Sequence, residues 1–342
     1  MISMFPADAK IIAEIGNSHE GSLGIAFSFI DMAARAGAEI VKFQMHLPEF
    51  ESTKDEPFRA DTFLQDASRW NYWNRVGFSL NEWILIKEHC DHKKVEFMCT
   101  PFSLEAARIL WENKLIKRWK IGSGEISNLP LLDYVFKTGA EVLLSTGLVT
   151  QNELDDLINF IGENYDIDSL VVMHCVSQYP VGLEKSSLHL INFFKERYQC
   201  RVGYSDHSGN ISTALRALTL PISYLEVHLK PNDLFFGPDV TSSLTYEELE
   251  FLFKFKRDLI LIEKALKSRD ELFEESESTA KIFRKGLYWS RNCGIGTIIS
   301  ERDIILRKPE QNISGFDLNK VIGKELIKNV EAGAPIKSEH FK

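Results

Sequence analysis

Two apolar runs of the chain end in histidine: "RVGYSDH" closes on Ser205, Asp206 and His207, and "YLEVHLK" carries Glu226 and His228 near its end. One such histidine is ordinarily structural. Two imidazoles at corresponding depth on neighbouring strands can instead offer nitrogen donors to one transition metal, and a two-ligand site leaves positions for water or substrate oxygen. A second cluster lies upstream in "KIGSGE", where Lys120 stands beside Ser123, Gly124 and Glu125. A cation next to hydroxyl and backbone N–H donors at short range suits a phosphate or carboxylate. Thr100, Ser145, Ser177 and Ser205, at the ends of other apolar runs, add hydroxyls to it. Lys42, Gln44 and His46 alternate along "EIVKFQMH" and therefore share one strand face. A lysine buried there requires an anion.

These residues must be positioned by eight short apolar runs, at 10–16, 39–46, 96–102, 118–124, 141–147, 169–175, 201–207 and 224–230. Between most of them the apolar residues recur at helical spacing, as at Ile25, Phe29, Met32, Ala33 and Ala36. Gly37 and Gly139, in the similar stretches "AGAEIV" and "TGAEVL", suit the left-handed position that ends a helix. Continuously apolar strands alternating with helices imply a parallel sheet covered by helices, and eight such units predict a (β/α)8 TIM barrel. A doubly wound open sheet is the alternative, but "IGNSHEGSLG" lacks the glycine spacing of a dinucleotide turn. Active sites of such barrels lie at the C-terminal strand ends. All eight ends here are polar, the first leading into Asn17, Ser18, His19 and Glu20, with Ser22 placed to cap the next helix.

The formal charge of −9 over 342 residues argues against nucleic acid or an anionic membrane as partner. Five cysteines without C-x-x-C spacing signal neither a disulfide framework nor a zinc site. No signal peptide and no run long enough to span a bilayer is evident, so a cytoplasmic location is expected. The chain divides into a barrel over 1–268, an acidic and Ser-rich linker over 269–284, and a small module of short strands and turns over 285–342.

Nine fragments in fixed order, "AEIGNSHEGSLGIA", "KFQ", "TPF", "KIGSGEISNLPLL", "LLSTG", "HCVSQYP", "GYSDHSG", "LEVHL" and "GPDVTSSL", closely resemble the sialic acid synthase family, which includes legionaminic and pseudaminic acid synthases. The tail from Lys285 resembles that family's antifreeze-like (SAF) domain. The resemblance implies a domain-swapped homodimer that condenses phosphoenolpyruvate with an N-acetylated amino sugar, assisted by Mn²⁺ or Mg²⁺. It implies that His207 and His228 bind the metal, and that Lys42, Thr100, Lys120, Ser123, Ser145, Ser177 and Ser205 hold phosphoenolpyruvate. Glu125 is the implied general acid/base, and Glu20, Gln44, Tyr179 and Asp239 the implied sugar contacts, with Lys308 of the small domain reaching the sugar.

The chain departs from the family at three points. Val227 precedes the second histidine where a cation is usual, "GNSH" stands at the first strand end, and Arg307-Lys308-Pro309 exchanges the two cations of the small domain. Residues 56–78 form an aromatic and charged insertion that serves either as a substrate lid or as a dimer surface. Two other functions fit parts of the pattern. A phosphoenolpyruvate aldolase for a phosphorylated sugar would need further cations at the strand ends, and a non-catalytic sugar- or ice-binding protein would need no acid/base or metal pair.

Overall fold

The computed structural model describes residues 8–58 and 65–342. Eight parallel strands, β1 (Lys10–Gly16), β2 (Ile40–Met45), β3 (Glu96–Pro101), β4 (Trp119–Ile121), β5 (Val142–Ser145), β6 (Leu170–Cys175), β7 (Arg201–Asp206) and β8 (Tyr224–Leu229), lie within one residue of the expected starts. They are ordered β3-β2-β1-β8-β7-β6-β5-β4, so the ladder runs nearly full circle and brings β3 beside β4 at the remaining seam. This is the expected (β/α)8 barrel, not the doubly wound sheet. A short β9 (Ser243–Leu244) adds to β8.

The covering helices are α1 (Leu23–Ala36), α2 (Pro48–Glu51), α3 (Arg69–Val76), α4 (Leu80–Lys93), α5 (Leu104–Glu112), α6 (Leu129–Lys137), α7 (Gln151–Asn164), α8 (Leu190–Tyr198), α9 (Ile211–Ala217) and α10 (Tyr246–Lys264). Ser22 accepts from the Ile25 N–H at the start of α1, and Gly37 ends it at φ 108°. Gly139 follows α6 at φ 68°. No helix among the described residues is long and apolar enough to cross a membrane.

Outward-facing strand residues such as Ile11, Val41, Phe97 and Val172 join the helix-covered core. A separate cluster of Ile12, Ile40, Met98, Leu143, Val171, Met173 and Tyr224 fills the barrel interior. Gly203 makes room for it, since a Cβ there would lie 2.2 Å from the Met173 sulfur. One step further along the same inward faces the residues become polar: Glu14, Lys42, Thr100, Lys120, Ser145, Ser205 and Glu226, all buried. Period-two alternation thus stacks a charged layer directly on an apolar one.

Residues 265–342 form a second compact unit. The stretch read as a linker carries two short helices, α11 (Arg269–Glu275) and α12 (Glu277–Phe283), without buried residues. Beyond them β10 (Gly286–Trp289) pairs antiparallel with β11 (Ile304–Arg307), and α13 (Leu318–Val321) follows. Leu287, Trp289, Ile299, Leu326 and Ile336 form this unit's own core. The five cysteines are free.

Candidate active site

The charged layer is a buried ion network. Lys42 Nζ lies 2.9 Å from Glu14 and 3.7 Å from Glu226, and donates to Thr100 Oγ1 at 3.1 Å. Lys120 Nζ and Ser205 Oγ both donate to the same oxygen of Glu226, at 3.2 and 2.9 Å. Burial opposes the charges of Lys42 and Glu226, yet their partners outweigh it. Glu14 and then Glu226 hold Lys42 above the ordinary lysine range, while Lys120 and then Lys42 hold Glu226 below the usual carboxylate range. Two ammonium groups balance two carboxylates, so this floor carries no net charge. The second oxygen of Glu226 has no hydrogen-bond partner despite its burial.

Above the floor opens a cavity of about 410 Å³. On the β4 to β7 side it is lined by small donors. The Gly147 N–H donates to Ser123 Oγ at 2.9 Å. A Cβ at Gly147 would lie 2.4 Å from Ser177 Oγ and 3.2 Å from Ser123 Oγ, so only glycine lets the strand end close on both hydroxyls. Ser145 and Ser205 border the same space. Hydroxyls and a nearby lysine converging on one void form a cradle for an anion.

Beside the cradle stand the two histidines, with ring centroids 5.4 Å apart. His207 Nδ1 lies 2.8 Å from the Val176 carbonyl. It must carry the proton that it donates there, which leaves Nε2 as a lone pair facing the cavity. Tyr179 Oη is 3.3 Å from that Nε2, and Asp239 lies 3.9 Å from His228 Nδ1. Burial, with His228 adding to it, pushes His207 down to about 3, so the ring is neutral and in the form that ligates metals. Among the described residues no group of three or more His, Cys, Asp and Glu gathers to hold an ion, so the pair is a two-ligand arrangement at most.

Lys42, Gln44, Thr100, Lys120, Ser123, Ser145, Ser177, Tyr179, Ser205, His207, His228 and Asp239 all line the cavity. Three sequence candidates do not. Glu20 turns to Arg75 at 2.8 Å, in a backbone with φ 52°. Glu125, half-buried in the turn after β4, accepts from Asn128 at 2.8 Å. Burial, with Glu51 adding to it, nevertheless raises its pKa against that bond. Lys308 belongs to the second unit, where it lies 5.1 Å over the Phe283 ring.

Glu14 was missed as a site residue, and of the two readings of the insertion, α3 favours the one beside the substrate. Glu14 sits in an apolar run, and only its register opposite Lys42 and His228 reveals its role. The α3 helix, within the insertion at 56–78, brings Arg69, Tyr72 and Trp73 to the cavity wall; residues 59–64 of that insertion lie outside the described residues.

A barrel with its charged layer and hydroxyl-lined cavity at the C-terminal strand ends has the layout of an enzyme, and several proteins similar to it are named synthases. The NeuB family model matches residues 29–270 and the SAF domain model residues 284–342. The chain belongs to the NeuB family. It is 31% identical to the N,N'-diacetyllegionaminic acid synthase of Campylobacter jejuni, covering 93% of this chain and 96% of that one. It is 27% identical to a pseudaminic acid synthase of the same species, over 100% and 99% of the two chains. The N-acetylneuraminic acid (sialic acid) synthetase of Leptospira borgpetersenii superposes with a TM-score of 0.67 at 28% identity, covering 79% of this chain and 90% of that one. The chain is accordingly a synthase of the sialic acid synthase type, with a C-terminal SAF domain.

Proposed function

We propose that the chain is a nonulosonate synthase that condenses phosphoenolpyruvate with the open-chain aldehyde of N-acetylmannosamine or a related amino sugar, giving a nine-carbon 2-keto acid and phosphate. The observation that carries this reading is the meeting, in one cavity, of the hydroxyl cradle and two imidazoles above a charge-balanced floor. Lys120, Ser123, Ser145, Ser177 and Ser205, with Lys42 and Thr100, hold the phosphate and carboxylate of phosphoenolpyruvate. Because Glu14 and Glu226 already balance the two lysines, hydroxyl and N–H donors meet much of the incoming charge.

His207 and His228 fit a divalent cation such as Mn²⁺ or Mg²⁺, since a carbonyl fixes the His207 tautomer and leaves Nε2 facing the cavity. When bound there, that cation would supply Lewis-acid polarisation of the aldehyde. Gln44, Tyr179 and Asp239 orient the sugar; Glu20 and Lys308 are assigned to it by resemblance alone. C3 of phosphoenolpyruvate bonds to the aldehyde carbon, whose oxygen takes up a proton. Water adds at C2, and the C2–O bond then breaks to release phosphate and leave the keto group. Proton exchange in these steps is assigned to Glu125 by resemblance, in keeping with a burial that favours its protonated form, although its side chain lies outside the cavity wall. The resemblance also assigns a domain-swapped homodimer, in keeping with a second unit that leaves Phe316 88% and Ile295 66% exposed.

The test is phosphate release from phosphoenolpyruvate with Mn²⁺ or Mg²⁺, run against N-acetylmannosamine, its 6-phosphate and a dideoxy diacetamido hexose. Stoichiometric phosphate and 2-keto acid with one of them is expected. Absence of turnover with every aldehyde overturns the reading.

A further inference from the structure

His46 closes the cavity on its β2 side, and it is held on every face. Its ring stacks on Trp73 at 3.7 Å and 13° and on Phe102 at 4.2 Å and 18°. Its Nδ1 lies 2.7 Å from a Glu51 oxygen, whose carboxylate also accepts from the Leu47 N–H at 3.1 Å. Its Nε2 lies 3.3 Å from Gln44 Oε1. Which amide atom faces that nitrogen follows from the next contact. Gln44 Nε2 donates to Glu14 at 2.7 Å, and a carboxylate only accepts, so the amide oxygen must face His46, where it also accepts from Asn17 at 3.3 Å.

Trp73 is itself fixed. Its Nε1 donates to Glu56 at 3.2 Å, and the Arg69 guanidinium, paired with Glu56 at 3.2 Å, lies 5.0 Å over its ring. Of these groups, His46, Gln44, Glu14, Asn17, Arg69, Trp73 and Phe102 line the cavity.

We infer that α3 is a clamp that sets the affinity for the sugar: Trp73 presses His46 onto Phe102, and His46 holds the Gln44 amide in one orientation toward the bound sugar. Glu14 fixes which end of the Gln44 amide is the donor, but without the His46 ring beside it the side chain could swing about that bond, so each sugar hydrogen bond would be made in only part of the population. His46 and Trp73 are positioning residues here, and the cradle on the β4 to β7 side is built without them. This inference rests on the proposed synthase reading, and on Gln44 as a sugar contact.

The experiment measures KM for each substrate in full-length variants whose melting curves match the parent. His46→Phe keeps the aromatic stack and removes both ring hydrogen bonds; Trp73→Ala removes one face of the stack, and Trp73→Phe restores it. Expected is a rise of roughly ten-fold in the KM for the sugar in the first two. The KM for phosphoenolpyruvate stays unchanged, and Trp73→Phe recovers most of the loss. Equal rises in both KM values, or an unchanged sugar KM in folded His46→Phe, overturn the clamp. If Trp73→Ala does not fold, His46→Phe decides the matter alone. Turnover by the parent protein separates the two levels, because its absence counts against the synthase reading whatever the variants do.

Discussion

The barrel carries an ion cluster at each end, and the two are built oppositely. At the N-terminal end Glu141 accepts from Arg118, Arg201 and Tyr224, while Arg118 also reaches Glu96 at 2.6 Å. Donors and acceptors there satisfy one another and leave little for a ligand to do. At the C-terminal end two lysines share one oxygen of Glu226, the other oxygen stays unpartnered, and a cavity opens above. A saturated network stabilises the fold, whereas an incomplete one waits for a ligand.

The sharpest way to break this contrast is at the histidines. His207→Ala and His228→Ala are each expected to lower metal-dependent phosphate release by roughly 10³-fold or more with little change in melting temperature; retained rates in both would remove the metal assignment. Next is the cradle. Gly147→Ala places a methyl group against Ser177 and Ser123, and the KM for phosphoenolpyruvate should rise by roughly ten-fold or more while that for the sugar holds. At the opposite end the signature inverts. Glu141→Ala removes the acceptor shared by Arg118, Arg201 and Tyr224 and should cost about 1–2 kcal/mol of stability by denaturant titration, with kcat unchanged at a temperature where the variant is folded.

Acid should separate the two ends more gently. Burial, with His46 adding to it, pushes His19 near the C-terminal mouth down to about 3. Between that value and its ordinary 6.5 the unfolded chain binds a proton that the folded chain does not, so stability falls as pH falls through this window. Tyr224, Arg118 and Arg201 outweigh burial and hold Glu141 below its ordinary 4.5, so its contribution is present above that value and is lost only at lower pH. Melting temperature should therefore begin to drop below about pH 6.5. A flat profile down to pH 5 would contradict the buried neutral histidine.

The strands were legible because each apolar run alternates between two apolar environments and stops at a polar end; Lys10–Gly16 and Leu170–Cys175 match the expected runs at 10–16 and 169–175. The fourth strand is shorter than expected, Trp119–Ile121, since Gly122 to Glu125 leave the sheet for a tight turn that supplies Ser123 to the cradle. Most of the cavity-lining set was legible for the same reason: on a barrel, polar residues ending inward faces have one place to go. Glu14 was hidden by its apolar neighbours, and Glu20, though one of a polar run, is drawn aside by Arg75.

Period-two alternation, turn glycines and polar strand ends are local properties, and they alone determined the barrel, the second module and which hydroxyls meet at the cavity. Which carboxylate balances which lysine, where Nε2 of His207 points, and that Trp73, far along the chain from Phe102, closes on the far side of His46 were decided only in the folded molecule. Pairings of that kind depend on register between strands and on the path of an inserted helix, and neither leaves a periodic trace in the chain.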